Sequence, residues 1–319
     1  GNVGLNAVDL GFSNSASSTA GATGANSTLS GGLNNATSAT NSTISGGYTN
    51  TDSGYTLNTI SGGGNNTISV YTTAATTISG GKGNTASASY STVSGGYDNT
   101  ASGSYAVVAG GGGNQATGDQ ATISGGYSNE AHGGYTSVGG GNVNTASGEY
   151  STVSGGYDNT ASGGYGANIS GGQFNTASGD YFPTIGGGNN NTASGYTAST
   201  VSGGNGNTAS GYGSTVTGGR ANTASGNYST AGGQSNTAGD GETVFGQYAT
   251  AGTARAFAIG AGTVGTPSNV LEVYKSGGIV FNPSSQPGET IAGMMYYDST
   301  ANKIKFYNGT AWIELQTVI

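Results

Sequence analysis

The chain holds few groups that could do chemistry. Its 319 residues include one histidine, His132, and no cysteine. Common zinc sites need several imidazoles or thiolates at fixed spacings, so no metal ligand set is expected. His132 stands before two glycines, where the repeats vary, and reads as an exposed loop residue. Acids are scattered. Asp98 and Asp158 share the place before a repeated asparagine, but other repeats put Ser, Gly, Asn, Phe or Ala there. No acidic column builds up, which argues against a calcium-binding roll. Paired glycines recur, yet no G-x-x-x-x-G-K-[ST] stretch is present. No nucleophile, base and orienting group fall together. The sequence therefore predicts no catalytic residues, no cofactor, no metal and no enzyme.

Aromatic and hydroxyl side chains are the remaining candidates for contact with a partner. Of 20 tyrosines, Tyr48, Tyr97, Tyr127 and Tyr157 follow a Gly pair, and Tyr90, Tyr105, Tyr135, Tyr150, Tyr165, Tyr181, Tyr212 and Tyr228 precede a repeated aliphatic strand. Exposed rings suit stacking on sugars or on another protein, and Tyr97, Tyr127 and Tyr157 are the surface-binding candidates. The plainer alternative is that the rings cover a thin rod or a neighbouring chain, and it is the favoured one. Outward threonines such as Thr100, Thr160, Thr176, Thr192 and Thr208 raise a further alternative, a hydroxyl lattice of the ice-binding kind. Neighbouring Ser and Tyr bulk weighs against it.

What must position these groups is a repeat. STVSGGYDNTASG stands at 91–103 and again, unchanged, at 151–163. The branched aliphatic before the Gly pair recurs at Leu29, Ile44, Ile60, Ile78, Val93, Val108, Ile123, Val138, Val153, Ile169, Ile185, Val201 and Val216, with Thr230 in a weaker copy. Steps are mostly 15 or 16 residues. Six residues after each stands an asparagine: Asn35, Asn50, Asn66, Asn84, Asn99, Asn114, Asn129, Asn144, Asn159, Asn175, Asn191, Asn207, Asn222 and Asn236. A period this short suits one coil of a β-solenoid rather than a helix pair. STVS reads as a strand with Val inward and Thr outward, and NTAS as a second with Asn and Ala inward. The Gly pair supplies a left-handed corner, and the closing Gly turns the chain again. Coils stacked at about 4.8 Å would set each Asn over the last, making a structural ladder of amides. About fourteen coils are expected.

Composition agrees with an all-β reading. Gly is 66 of 319 residues with only 4 Pro, which excludes collagen. Charged residues are 6%, too few for charge-driven disorder. The net charge is −8 with 6 basic residues, so no phosphate-neutralising cluster exists and no nucleic-acid partner is expected. No apolar run approaches 18 residues, so no helical membrane insertion is expected from this segment. One Val or Ile per coil gives about 1.5–3 kcal/mol, while ordering each backbone residue costs about 1–2 kcal/mol. Lateral association is expected to make up the difference, most simply as a homotrimer.

TVFGQYATAG at 243–252 and AFAIGAG at 256–262 resemble the head repeats of trimeric autotransporter adhesins. The longer SGGxxNxASG units look like a variant, so the resemblance covers about 29–262. It implies left-handed parallel β-rolls formed by three chains. That family ends in a coiled-coil stalk and a membrane-anchor barrel, and neither pattern is present here. The C-terminal part is similar to segments at the ends of phage tail-fibre proteins. NVLEVY (269–274) and GGIVF (277–281) alternate like strands, PSSQPGET (283–290) reads as a connector, and 294–316 reads as an antiparallel meander turning at DSTANK and NGT. Met294, Tyr296, Ile304, Phe306, Trp312, Ile313 and Leu315 would make it a compact cap on the last coil.

The expected organisation is an atypical N-terminal coil or cap at 1–28, a β-roll shaft at 29–262, a connector with short strands at 263–290 and a C-terminal meander at 291–319. The expected fold class is all-β, a parallel β-solenoid with a small antiparallel cap. The expected role is an extracellular fibrous adhesion protein meeting a glycan or cell-surface receptor, with a bacteriophage tail fibre as alternative.

Overall fold

The computed structural model describes residues 3–10, 21–72, 75–252, 255–263, 266, 268–281, 295–298, 301 and 303–314. Among the described residues the elements are strands, with no helix. Parallel coils stack into a β-solenoid of about 16 turns, followed by a small antiparallel sheet. At about 4.8 Å per turn the rod is about 75 Å long.

Each coil contributes two short strands to two facing sheets. Thr92–Val93 lies on one and Thr100–Ala101 on the other. Val93 pairs in register with Val108, and Ala101 with Ala116. The strands are two residues long because a corner follows each. Thr faces out and is half-buried, while Val93, Asn99 and Ala101 are fully buried. The core is thus a column of aliphatics facing a column of Asn and Ala.

The two glycine positions act differently. Gly96 has φ 91°, and a Cβ there would stand 2.2 Å from Gly111 O, so conformation and space both demand glycine. The closing Gly103 opens the second corner, where its carbonyl accepts from Ala106 N at 3.1 Å, but it has no left-handed φ. A Cβ on it would lie 1.9 Å from Gly118 O, so it permits close stacking. The left-handed residue of that corner is Tyr105, with φ 59°.

The solenoid outruns the asparagine repeat at both ends. Val8–Asp9 pairs in parallel with Thr28–Leu29, and Thr243–Gln247 and Arg255–Ala261 add further turns. In the weaker copy the inward residue is Ala231, fully buried and paired with Val216, while Thr230 pairs with Thr215 and faces out. The assignment of Thr230 as anchor is corrected. This coil has one residue fewer between the strand and Asn236, so counting back six lands on the wrong face.

Asn269–Tyr274 then pairs antiparallel with Arg255–Ala261, and Ile279–Phe281 pairs with it. The exposed edge of the last coil is therefore covered by this hairpin. The meander Met295–Asp298, Lys303–Tyr307 and Trp312–Glu314 forms its own three-stranded sheet. Its compactness is also corrected: none of its described side chains is buried, and Met295, Ile304 and Ile313 are 48%, 37% and 47% exposed. Met294, Leu315 and the 283–290 connector lie outside the described residues, as does the side chain of Tyr296.

Candidate functional site

The asparagines occupy one internal column. Asn99 Nδ2 donates to Gly95 O of its own corner and to Gly111 O of the next coil, both at 3.0 Å. Its Oδ1 accepts the backbone N–H of Asn114 at 3.0 Å. The same pattern runs from Asn35 to Asn236, where Asn236 Oδ1 accepts from Ala249 N. Amide-to-amide contacts accompany it in many coils, as between Asn114 and Asn99 at 3.1 Å. The backbone bonds are the constant element, so each amide acts as a peg between two coils. Every buried donor and acceptor of the peg is used, which avoids the penalty of about 1–3 kcal/mol for an orphaned polar group.

Two aromatic edges flank this core. At the second corner, Tyr90 and Tyr105 stack with centroids 4.7 Å apart, and Tyr135 and Tyr150 stack at 4.8 Å. Several of these tyrosines hold left-handed φ values, a conformation costing about 1–2 kcal/mol. Crowding by stacked neighbours desolvates the Tyr150 phenol and, with Tyr165, Tyr135 and Glu149, raises it above its ordinary pKa. At the Gly-pair corner stand Tyr97, Tyr127 and Tyr157, exposed by 54%, 61% and 43%. A hydrogen bond to Asp98, then its charge, raises the Tyr97 phenol. The three rings do not meet one another in the way of the stacked pairs; Gly112 and Asn142 separate them along the column.

The outward threonines form straight rows. Thr145, Thr160, Thr176, Thr192 and Thr208 pair in succession and continue to Thr223. The tyrosines lie at corners rather than on these faces. His132 is exposed, with Thr117 Oγ1 2.7 Å from Nδ1 and Glu130 Oε2 3.0 Å from Nε2. Among the described residues no group of three or more His, Cys, Asp or Glu could hold a metal ion. No described helix is long and apolar enough to cross a membrane.

Sequence reasoning missed two buried charged sites. Asp52 takes an inward place in the second sheet, between Thr37 and Ile68. Burial raises its carboxyl above the ordinary range, against hydrogen bonds from Asn58, Gly54, Ser42 and Thr37. At the far end Arg255, 6% exposed, lies with its Nε 3.0 Å from Glu242 Oε1 and also pairs with Glu272. Glu242 Oε2 accepts from Gly239 N and Gly252 N at 2.9 and 3.0 Å. Burial pushes the Glu272 carboxyl up, but hydrogen bonds from Asn269, Arg255 and Tyr274 outweigh it and hold the group below its usual range. The available clue was positional. Glu242 precedes an outward Thr, where neighbouring coils have the small Ser214 and Ser229.

Stacked parallel coils, internal pegs and ring-bearing corners define a β-solenoid repeat protein. A family model described as the ubiquitous surface protein adhesin repeat matches residues 91–103 and 151–163. These are the two identical segments, so the chain is adhesin-like in its repeats. A search of curated proteins finds no match.

Proposed function

We propose that this chain is the shaft of an extracellular fibrous adhesion protein, assembled as a homotrimer and attaching to a glycan or cell-surface receptor. Catalysis has no part in this reading. The observation that carries it is the long regular solenoid, two of whose coils match an adhesin repeat and whose corners present tyrosine rings. Shaft, connector and meander then divide the work near residues 262 and 290. The trimer draws support from the meander. Its register sets Met295 beside Phe306 and Phe306 beside Ile313, so these share one face. Lys305 and Asp298 pair at 2.7 Å on the other face, which also carries the Lys303–Glu314 ion pair and the Tyr307–Trp312 ring contact. A three-stranded sheet needs its apolar face covered, and two further copies would cover it.

The same amphipathic sheet supports a second reading, a bacteriophage tail fibre. Native mass measurement of the full chain should give three copies, and beads coated with it should adhere to a glycan-bearing cell surface. A stable monomer, or beads that stay free, overturns the reading. Antibody labelling of a virion tail in place of a cell envelope would select the second.

A further inference from the structure

The two aromatic edges differ in what their rings can offer a ligand. At the second corner the rings of Tyr90 and Tyr105 lie within 10° of parallel, and those of Tyr135 and Tyr150 within 5°. Each ring there spends a face on its neighbour. At the Gly-pair corner the rings occupy alternate coils. Parallel bridges run from Tyr97 through Gly112 to Tyr127, and through Asn142 to Tyr157. Gly112 leaves the first interval without a side chain. A Cβ built on it would stand 3.4 Å from Tyr127 Cδ2, so Tyr127 leans over that backbone. Phe174, 43% exposed, meets Tyr157 edge-on at 5.4 Å and 84° beside the row, in which Gln173 follows Tyr157.

Two coils rise about 9.6 Å. That is close to the length of one disaccharide in an extended β-1,4-linked glycan, whose pyranose faces are apolar and whose hydroxyls project sideways. A helical α-1,4-linked glucan cannot keep step with a straight row. Charge narrows the class further. The carboxylates of Asp98 and Asp158 stand beside Tyr97 and Tyr157 in sequence at this corner and can accept hydrogen bonds from sugar hydroxyls. They outnumber Lys82, whose Nζ lies 5.8 Å from the Tyr97 ring centroid, and would repel an anionic glycan.

We propose that the row of Tyr97, Tyr127 and Tyr157 binds a neutral, extended β-1,4-linked glycan, with alternate sugars stacking on successive rings. This rests on the adhesive reading above and names a ligand class for it. The spacing gives the site a measurable period. A chain engages a second ring on reaching three sugars and a third on reaching five.

The test is calorimetric titration of the native, full-length protein with cello- and chito-oligosaccharides of two to six sugars, and with maltohexaose. Affinity should step up at three and five sugars, with smaller gains at four and six, and maltohexaose should bind more weakly than either β-linked hexamer. Tyr127→Ala should lower hexamer affinity about two- to tenfold per lost ring contact. Tyr135→Ala, on the stacked edge, should leave it unchanged, and circular dichroism of both variants checks the fold. A smooth length dependence, equal binding of maltohexaose, indifference to Tyr127→Ala, or no binding by any probe overturns the proposal. So does a change in native mass in Tyr127→Ala, which would make the row a contact between chains. Cell attachment by the coated beads judges the adhesive reading separately. Attachment that survives Tyr127→Ala sinks this site and leaves that reading standing.

Discussion

The shaft and its C-terminal end solve the same problem with different chemistry. Both bury polar groups in a core too narrow to exclude them. In the shaft the buried group is a neutral amide, repeated from Asn35 to Asn236, each making the same bonds. At the end it is one guanidinium between two carboxylates, Arg255 with Glu242 and Glu272. A neutral peg can be copied along a rod because neighbours do not repel. A charged cluster cannot be repeated at coil spacing without accumulating repulsion. It can, however, tie strands that enter from different directions, as the antiparallel hairpin does here. The comparison teaches that periodic stability comes from neutral bonds, and termination from charge.

Removing the guanidinium should give the largest effect. Arg255→Leu leaves the fully buried Glu242 without its counter-ion, a loss of about 3–5 kcal/mol. Hydrogen exchange should quicken at 239–252 and 269–274 while coils around 91–163 keep their protection. Uniform quickening along the chain would dissolve the distinction between the two regions. Removing one peg should cost less. Asn159→Ala orphans the Asn175 N–H and frees the carbonyls of Gly155 and Gly172, a loss of about 1–3 kcal/mol. Exchange should rise only in the flanking coils, and a change reaching the ends of the rod would contradict the local character of the pegs.

The smallest effect is a matter of pH. Asp52 is a charged intruder in the neutral column, with its carboxyl raised from 3.8 by burial. A raised carboxyl favours folding fully below its unfolded value, and that contribution is lost as pH rises through the folded value. Local stability near Asp52 should therefore fall with rising pH from about 3.8 upward, at no more than about 1.4 kcal/mol per pH unit. Glu272 behaves in reverse. Its lowered carboxyl contributes above the ordinary glutamate value of 4.5 and is lost as pH falls. Acid should thus loosen the terminal cluster while relieving the coil at Asp52. Exchange measured across this range should show slopes of opposite sign, and Asp52→Asn should flatten the first alone. Parallel slopes would remove the electrostatic half of the comparison.

The parts legible in the sequence were those that recur. Val93, Val153 and the asparagine six places on declare a coil because stacking demands the same side chain at the same height. The inward Val and outward Thr of STVS followed from strand alternation. What the period hid was the identity of the amide's partners. Backbone carbonyls such as Gly95 O carry no mark in sequence, so the ladder read as amide on amide. A fixed offset misplaced Thr230, since the corner before Asn236 is one residue shorter and alternation inverts on a slip of one. The terminal cluster was illegible because Glu242 and Arg255 meet only when the last coils stack, and Glu272 reaches Arg255 only through the hairpin. The aromatic row fell between these cases: its members were visible, but alternation with Gly112 and Asn142 acquires meaning only once coil height is known.

The varying step length has a practical outcome. Coils of 15, 16 and 18 residues keep their strands in register, as Ile44 with Ile60 and Ile60 with Ile78 do. The differences in length fall between the second strand of one coil and the first strand of the next, so the paired strands keep their alignment. A gene encoding such a chain can gain or lose whole units by recombination between near-identical stretches like 91–103 and 151–163. An exchange between these two stretches spans four coils, so it would lengthen or shorten the molecule's reach by about 19 Å while leaving the remaining coils as they were.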